Sequence, residues 1–509
     1  MNTGVLTMKL NRKSGIVGVV AIRLALCMAA AGTLPAAAQK DVAFPAEVYA
    51  ARRARLLEDV AGEPVILTGE YLIRSSGGKQ DLDFWYLTGV ESPYAILVMT
   101  RGADGQPHEV LFVPDEYQFT GAQYPIDDAR FRRAAWNRSF RQIAPGAAAA
   151  ARAGVDEVVP IDAFAGRLRG LIAGARTVWF LRDGSTPYVP PGLDPARTYR
   201  QQLEAGIARL LSGVQVADVS PRVHRMRLIK DEHEIRALRR AAGISALGML
   251  EAMRITRPGM NDLEVAGWME YIWNREGSPR PSFSTIVMSG PSAVSLYTIR
   301  AERYHSTDRV MQEGELLYVD YGAAEYDMYT SDLCRTWPVS GRFTPEQRRY
   351  YDIVVEAMDS ALARVRPGVM MIDVIRAAAG VFRRHGLERY EDIEAMGEAR
   401  VWGLMPSPTY WLARNGQLTD YSGARGTGVR DLGHHVGLDA LDSRDYTLPL
   451  ARGMVFTVEP KLYIPERGIA IMVEDMILVT PDGYENLSAE LPRRADEIER
   501  VMREAQARR

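Results

Sequence analysis

The chain has 509 residues, of which 47% are hydrophobic and 25% are charged. A usual size of roughly 100–200 residues per domain predicts about two or three domains, and this composition excludes wholesale disorder. The formal net charge of −2 gives no reason to expect a nucleic-acid partner, and both signs of charge are mixed along the chain without a polybasic membrane patch.

The N-terminal segment has the pattern of a secretory signal. Basic residues within positions 9–13 precede the apolar run IVGVVAIRLALCMAAAGTL, and the small-residue stretch PAAAQK follows. This order predicts cleavage after Ala38, a signal peptide over residues 1–38, and an exported bacterial protein, periplasmic or secreted. We expect no stable membrane association after cleavage. The alternative is that the apolar run stays as a single membrane anchor; a lipid anchor on Cys27 is disfavoured because a bulky leucine precedes it.

Cysteine usage agrees with export to a bacterial periplasm or exterior. Of the 2 cysteines, Cys27 would leave with the signal, so Cys334 would remain alone and could form no internal disulfide. We expect Cys334 to fill the core on a strand rather than to act as a nucleophile.

Residues 45–220 alternate between helical and strand-like patterns. FPAEVYAARRARLLEDV predicts a helix, and PVILTGEYLI, FWYLTGV, YAILVMT and EVLFVP predict strands. The alanine-rich APGAAAAARAGVDEV fits a surface helix or a loop. The alternation favours an α/β domain over 45–220.

Residues 221–509 contain two similar series of signals. A capping box opens a helix at 231–234 (DEHE) and another at 344–347 (TPEQ), and the tripeptide RPG follows each helix, at 257–259 and 366–368. A second helical stretch follows each RPG. This recurrence predicts a duplicated half, with a site between the two sheets; the alternative is that RPG is simply a common helix terminator.

Four carboxylates and one histidine lie at strand-like positions that ought to be buried. For any one of them alone, a strand end facing solvent would be the better interpretation. Together they need a partner, because a buried carboxylate is costly unless it is paired. Oxygen ligands with one imidazole suit divalent Mn, Co, Fe or Zn, and a total charge of about −4 matches two such ions. The five residues are Asp320, Asp332, His434, Glu459 and Glu474.

The order and local contexts of these five residues resemble those of the pita-bread metallopeptidases. DFWYLTGV at 83–90, VHRMRLIKDEHEIRALRRA at 223–241 and VEPKLYI at 458–464 are similar to aminopeptidase P, and the resemblance extends over about 45–500. It implies an α/β and α+β fold in which a creatinase-like N-terminal domain precedes a pita-bread catalytic domain with a pseudo-twofold internal repeat. The gap between the two aspartates is one residue longer than in the family, which a β-hairpin turn can absorb.

The resemblance also implies a role for each ligand. Asp320 would bind one metal ion with both oxygens, Asp332 and Glu474 would bridge two ions, and His434 and Glu459 would complete the second site. The implied cofactor is a pair of divalent ions, manganese first, with cobalt, zinc or iron as alternatives.

His434 is preferred to His435 as the ligand because it lies three residues before Gly437, as in the family's motif. We expect His435 to face the opposite side of the strand. By resemblance, the metal ions activate a hydroxide that attacks the scissile carbonyl, and Glu459 is the catalytic proton shuttle.

Four further positions bear on substrate. Arg430 and Leu441 align with two histidines of the family and Met472 aligns with an arginine, so Arg430 is our candidate substrate-binding residue because it still donates hydrogen bonds. A further family histidine precedes the first aspartate. His305 is our candidate for that catalytic and substrate-binding position, and Tyr297 fits equally well if an insertion follows it.

The function implied is a secreted aminopeptidase that hydrolyses the N-terminal Xaa-Pro bond of a peptide substrate. The first alternative is a hydrolase of the same fold with another substrate, such as a dipeptide or another amide or ester. The second is a non-catalytic binding protein. The family often forms homo-oligomers through the N-terminal domain, so Trp85 is expected to be a core aromatic or an intersubunit contact.

Overall fold

The structure is a computed structural model of the chain. It describes residues 44–74, 77–92, 94–102, 104–114, 143, 145–182, 197–211, 213–283, 286–294, 308–320, 324–387, 433–442, 448–464 and 467–508. The predicted signal peptide lies outside these residues, as do Tyr297, His305 and Arg430. Within the described part of the chain, no helix combines the length and the apolar character that a bilayer crossing requires.

A six-stranded mixed sheet forms the framework of the N-terminal region. Its spatial order is β6-β5-β4-β1-β7-β8. The central strand β1 pairs antiparallel with β4 and parallel with β7, so the sheet combines hairpin and crossover connections. Its face is covered by a cluster of buried aliphatic and aromatic side chains that includes Phe112, Phe164 and Phe180. The strands are β1 Val65–Thr68, β4 Ile96–Arg101, β5 Pro107–Val113, β6 Glu157–Pro160, β7 Thr177–Phe180 and β8 Gln215–Asp218, and β2 Tyr71–Arg74 pairs separately with β3 Gly77–Gln80.

Six helices accompany these strands among the described residues. The predicted first helix is present, and the alanine-rich segment is a helix rather than a loop. The helices are α1 Ala46–Asp59, α2 Leu82–Thr88, α3 Ala147–Ala153, α4 Phe164–Leu171, α5 Tyr199–Leu210 and α6 Ser220–Leu228, and a 3₁₀ turn over Ile161–Ala163 precedes α4.

The prediction of a strand at FWYLTGV is wrong, because these residues form most of α2. The Asp81 carboxylate caps this helix by accepting a hydrogen bond from the Phe84 N–H at 2.9 Å. Gly89, in the left-handed conformation at φ 65°, ends it. Every residue of α2 is buried, so its sequence carries no polar face and therefore no helical period that could distinguish it from a buried strand.

The first half of the C-terminal region places two helices before a three-stranded antiparallel sheet. The predicted capping box is confirmed, because the Asp231 side chain accepts hydrogen bonds from the backbone of His233 and Glu234. In this sheet β10 lies between β9 and β11. The elements are α7 Glu232–Ile255, α8 Asp262–Arg275, β9 Val287–Ser289, α9 Pro291–Val294, β10 Leu316–Asp320 and β11 Cys334–Pro338.

The second half again places two helices before strands. The second capping box is also confirmed, since the Thr344 hydroxyl accepts from the Gln347 N–H. Strand β15 pairs antiparallel with β12 and β16, and β13 pairs antiparallel with β14. The elements are α10 Pro345–Leu362, α11 Met371–Arg384, β12 Val455–Val458, β13 Lys461–Ile464, β14 Ile469–Met472, β15 Asp475–Thr480, β16 Gly483–Asn486 and α12 Ala495–Gln506. The domain limits at 45–220 and 221–509 remain predictions.

Buried ion pairs join the two regions close to the predicted histidine ligand. Arg227 at the end of α6 contacts Asp83 of α2, with 2.6 Å between Nη1 and Oδ1, and also contacts Asp442. Lys230 Nζ lies 3.0 Å from the other oxygen of Asp442. The Asp442 N–H donates to the carbonyl of His435, so this network holds the segment that carries both histidines against the N-terminal region.

Candidate metal centre

Strand pairing places Asp320 and Glu474 on either side of Cys334. Asp320 ends β10 opposite Cys334, which begins β11. Glu474 lies between β14 and β15, and its N–H donates to the Cys334 carbonyl at 3.0 Å. Cys334 itself is buried, and burial raises the pKa of its thiol well above the ordinary value. It is therefore a core residue between two predicted ligands, as expected, and not an activated nucleophile.

A backbone ladder beside β12 positions His434 and Glu459. The Thr457 N–H donates to the His434 carbonyl at 2.8 Å, and the His434 N–H donates to the Thr457 hydroxyl oxygen at 3.1 Å. The same hydroxyl donates to Glu459 Oε1 at 3.3 Å. Gly433 makes this approach possible, because a Cβ at its position would lie 2.2 Å from the Thr457 carbonyl oxygen.

Four of the five predicted ligands meet in a buried cluster. His434 Nε2 lies 3.3 Å from Asp332 Oδ2 and 3.6 Å from Glu459 Oε1. Asp332, His434 and Glu474 each offer one ligand atom, and these atoms lie within 4.8 Å of one another. Ligand atoms that surround one divalent ion at about 2.0–2.2 Å would be separated by comparable distances. The cluster therefore has the donor types and the spacing of a cation site.

The charges and the burial of the cluster also favour a bound cation. Burial, and then the charges of Asp332, Glu459 and Asp320, raise the pKa of Glu474 well above its ordinary value. The buried Oε2 of Glu474 accepts no hydrogen bond from the described residues. A buried carboxylate oxygen without a donor is costly, and a metal ion is the common remedy.

Burial and the neighbouring charges also shift the pKa values of Asp332 and His434. Burial is the main reason why the pKa of Asp332 is raised. Burial alone would lower the pKa of His434, but its hydrogen bond to Asp332 and the nearby Glu459 outweigh that effect and raise the pKa to about 9. The imidazole thus acts as a local counter-charge where a divalent ion would otherwise do so.

Asp320 is the least buried of the five predicted ligands. It is partly buried at the end of β10, and its charge acts on both Glu474 and Cys334. The connection from β10 to Asp332 includes two non-glycine residues with positive φ, Asp327 at 49° and Met328 at 69°.

His435 lies on the other side of the segment from the cluster. Its ring packs edge-on against Phe456, with 6.4 Å between ring centroids. Burial and the nearby Lys230 lower its pKa to about 3. A neutral, deeply buried imidazole beside a lysine is a packing residue, so the geometry brings His434 and not His435 to the carboxylates.

Lys461 is a further charged residue of the site that was not among those predicted from the sequence. This lysine begins β13 and is only 3% exposed. Its Nζ lies 3.1 Å from Glu459 Oε2. A signal was present in the sequence, because VFTVEPKLYI places one cation two residues after a predicted ligand within an apolar run.

Met472 and Trp85 are buried packing residues, whereas Leu441 is only partly buried. Leu441 is partly buried next to Asp442. Met472 is 1% exposed, and its Sδ accepts a hydrogen bond from the Tyr318 hydroxyl at 2.8 Å. Trp85 is fully buried within the chain and makes an edge contact with Tyr49 at 5.8 Å between centroids. Of the two alternatives for Trp85, the structure therefore favours the core aromatic.

Comparison with known proteins places the chain in a family. The description "Metallopeptidase family M24" matches residues 236–481, and "Aminopeptidase P, N-terminal domain" matches residues 49–179. A protein of Escherichia coli named Xaa-Pro aminopeptidase is 32% identical over 437 residues, which are 83% of this chain and 89% of that protein. The chain belongs to the M24 metallopeptidase family. The predicted pita-bread metallopeptidase related to aminopeptidase P is thus confirmed, and so is its nature as an enzyme.

Solved structures of the family agree with this assignment. Aminopeptidase P from Escherichia coli with the inhibitor Pro-Leu has a TM-score of 0.69 and 29% identity, and the match covers 91% of this chain and all of that one, 100%. Proline aminopeptidase P II from Yersinia pestis has a TM-score of 0.68 and 28% identity, with coverage of 90% and 100%. The predicted combination of an aminopeptidase P N-terminal domain and a pita-bread domain is therefore confirmed.

Proposed function

We propose that the protein is a metal-dependent aminopeptidase that removes the N-terminal residue of peptides with proline in the second position. The single observation that carries this proposal is the buried cluster of Asp332, His434 and Glu474, with Glu459 against the same imidazole. Relatives named Xaa-Pro aminopeptidase that align with most of the chain support the substrate class.

The donor set fits two divalent cations. Asp320, Asp332, His434, Glu459 and Glu474 would hold them, with manganese first and cobalt, zinc or iron as alternatives. When bound, such ions supply the Lewis acidity that activates water and polarises the scissile carbonyl. Oε2 of Glu474, which has no hydrogen-bond donor among the described residues, and the raised pKa values of the carboxyls of Glu474 and Asp332 support this assignment.

Glu459 is our candidate for proton transfer. Its Oε1 accepts from the Thr457 hydroxyl and its Oε2 faces the Lys461 ammonium, so both oxygens have fixed directions. A proton acceptor must be held within hydrogen-bond reach of the group that it serves, and these contacts restrict the carboxylate to one orientation. His305 and Arg430 remain the predicted substrate-binding residues.

Another amide or ester is the second candidate substrate. It is favoured by Met472, a buried apolar residue at a position where the family resemblance implies an arginine. Leu441 supports the same alternative, since a leucine cannot donate a hydrogen bond to a substrate.

We also propose that the protein is exported and that it forms a homo-oligomer. The basic, apolar and small-residue segments of the N-terminus support an exported protein. The resemblance to aminopeptidase P supports a homo-oligomer. Fractionation of the native host would test the location, and light scattering during size-exclusion chromatography would test the assembly.

The deciding experiment uses the full chain loaded with Mn²⁺. A short Xaa-Pro peptide and a matched Xaa-Ala peptide are each incubated with it, and release of the first amino acid is followed by mass spectrometry, with Asp332→Asn as the blank. We expect cleavage of the proline peptide alone, and none in the blank. Cleavage of neither peptide by protein that holds metal would favour the second candidate substrate.

A further inference from the structure

Lys461 and Met472 occupy directly opposed positions in the β13–β14 pair. Both are buried, at 3% and 1% exposure, yet one is charged and the other apolar. A lysine is rarely this buried unless its ammonium has a partner that repays the loss of hydration. Glu459, whose Oε2 lies 3.1 Å from the Lys461 ammonium, is one such partner, and it belongs to the candidate metal centre.

The contacts of Glu459 are divided between its two oxygens. Oε2 lies 3.1 Å from Lys461 Nζ. Oε1 lies 3.6 Å from His434 Nε2 and accepts from the Thr457 hydroxyl at 3.3 Å. One oxygen is thus directed to the ammonium and the other to the cluster.

The charge of Lys461 also reaches beyond Glu459. It acts to lower the pKa of Asp332 and of Glu474, against the larger effect of burial in both. The ammonium therefore lies within electrostatic reach of three carboxylates of the centre. A cation at this distance opposes the binding of further positive charge.

We propose that Lys461 is a positioning residue whose ammonium holds Oε2 of Glu459. This carboxylate would then offer only Oε1 to a metal ion. The inference rests on the metal centre of the proposed function. It has two consequences. Metal affinity is lower than the carboxylates alone would give, because the ammonium competes for one oxygen and repels the ions. Glu459 keeps a single orientation, which favours its use in proton transfer.

The main test is metal binding and not peptide cleavage. Metal-free full chain is titrated with Mn²⁺ by calorimetry, in the wild type and in Lys461→Met, which keeps an unbranched side chain one atom shorter and removes the charge. We expect Lys461→Met to bind Mn²⁺ on the order of tenfold more tightly, because a repelling charge is removed, and to lose about tenfold in kcat with KM little changed. Lys461→Arg, which keeps the cation, should restore both values to within about threefold of the wild type.

Lys79→Met is the matched control. Lys79 is another buried lysine paired with a carboxylate, 3.2 Å from Glu325 Oε2, and Glu325 is not one of the predicted ligands. We expect this control to lower the melting temperature and to leave Mn²⁺ affinity unchanged. If Lys461→Met does not fold, Lys461→Leu, which removes both the charge and the hydrogen-bond donor, carries the same expectation.

Three results would overturn the inference. The first is wild-type Mn²⁺ affinity in the uncharged Lys461 variants. The second is a fall in kcat no different from that of the Lys79 control. The third is a wild type that binds no Mn²⁺. If the wild type binds Mn²⁺ and cleaves neither peptide, the proposed substrate fails, while the comparison of affinities still decides the role of Lys461.

Discussion

His434 Nε2 lies 3.3 Å from Oδ2 of Asp332, although the two residues belong to different halves of the C-terminal region. Asp332 lies between β10 and β11 of the first half, and His434 lies beside β12 of the second. The cluster therefore exists only when the two halves are packed together. Folding and metal binding should be coupled for this reason.

The first prediction concerns the choice between the two adjacent histidines. His434→Asn should reduce Mn²⁺ affinity at least about 100-fold, because it removes the imidazole that lies against Asp332 and Glu459. His435→Asn should retain Mn²⁺ and lose thermal stability, because it disturbs the buried contact with Phe456. Titration calorimetry and thermal melting of both variants provide the measurement. Equal Mn²⁺ affinity in the two variants would contradict the assignment.

The second prediction concerns removal of the metal. Chelation should lower the melting temperature of the wild type, because the buried carboxylates of Asp332, Glu459 and Glu474 then have only one imidazole and one ammonium beside them. At a free Mn²⁺ concentration of about 1,000 times Kd, the added stability should be about 4 kcal/mol.

Asp332→Asn should distinguish the effect of charge repulsion among the carboxylates from the effect of Mn²⁺ binding on stability. Without metal this variant should melt above the metal-free wild type, since burial and Glu459 already raise the pKa of Asp332 and disfavour its charge. Added Mn²⁺ should then give no further rise. A metal-free Asp332→Asn protein that melts below the metal-free wild type would argue against a strained cluster of carboxylates.

The third prediction concerns Gly433. Its φ is 151°, and a Cβ at this position would lie 2.2 Å from the Thr457 carbonyl oxygen, so there is no room for a side chain. Gly433→Ala should displace His434, weaken Mn²⁺ binding and cost on the order of 1–3 kcal/mol in unfolding free energy.

Gly243→Ala in α7 is the control for that substitution. A Cβ at Gly243 meets nothing within 4 Å, and alanine should stabilise the helix interior by about 0.5–1 kcal/mol. Mn²⁺ affinity should not change in this control. Unchanged Mn²⁺ affinity in Gly433→Ala as well would show that the close approach to Thr457 does not position the ligand.

The fourth prediction concerns the pH dependence of stability. Burial is the main cause that raises the pKa of Glu234 from 4.5 to about 7. Its carboxyl accepts from the Tyr329 hydroxyl at 3.1 Å and lies 3.3 Å from Arg52. The folded protein therefore holds this proton more tightly than the unfolded chain, so the free energy of unfolding should fall as the pH rises from about 4.5 to about 7.

Glu234→Gln should remove this dependence, because glutamine keeps the capping position without the proton. Relative to the wild type, the variant should gain up to about 3 kcal/mol between about pH 4.5 and about pH 8, since one pKa unit corresponds to about 1.4 kcal/mol. Denaturation at both pH values tests this. Glu264→Gln is the control, because Glu264 fills the same position in the capping box of α8 but is exposed. An equal pH response in both variants would contradict the role of burial.

Local chemistry explains what the sequence predicted well. The capping boxes at Asp231 and Thr344 depend on side chains three residues apart, so their sequence pattern is sufficient. The candidate ligands were also visible in the sequence, because a carboxylate in an apolar run is costly without a partner. Their order along the chain then indicated the family.

Tertiary packing decided the features that depend on distant neighbours. The segment FWYLT is a helix although a strand was predicted, because its burial on all sides hides the sequence period that separates a helix from a strand. Lys461 is a partner of Glu459 because β13 places its side chain beside that carboxylate in a buried environment. The residues that need a buried partner could thus be predicted from the amino-acid sequence, but the partner that each one received depended on tertiary packing. The cost of burying a charge is a property of the residue, whereas its compensation depends on distances between segments that only folding brings together.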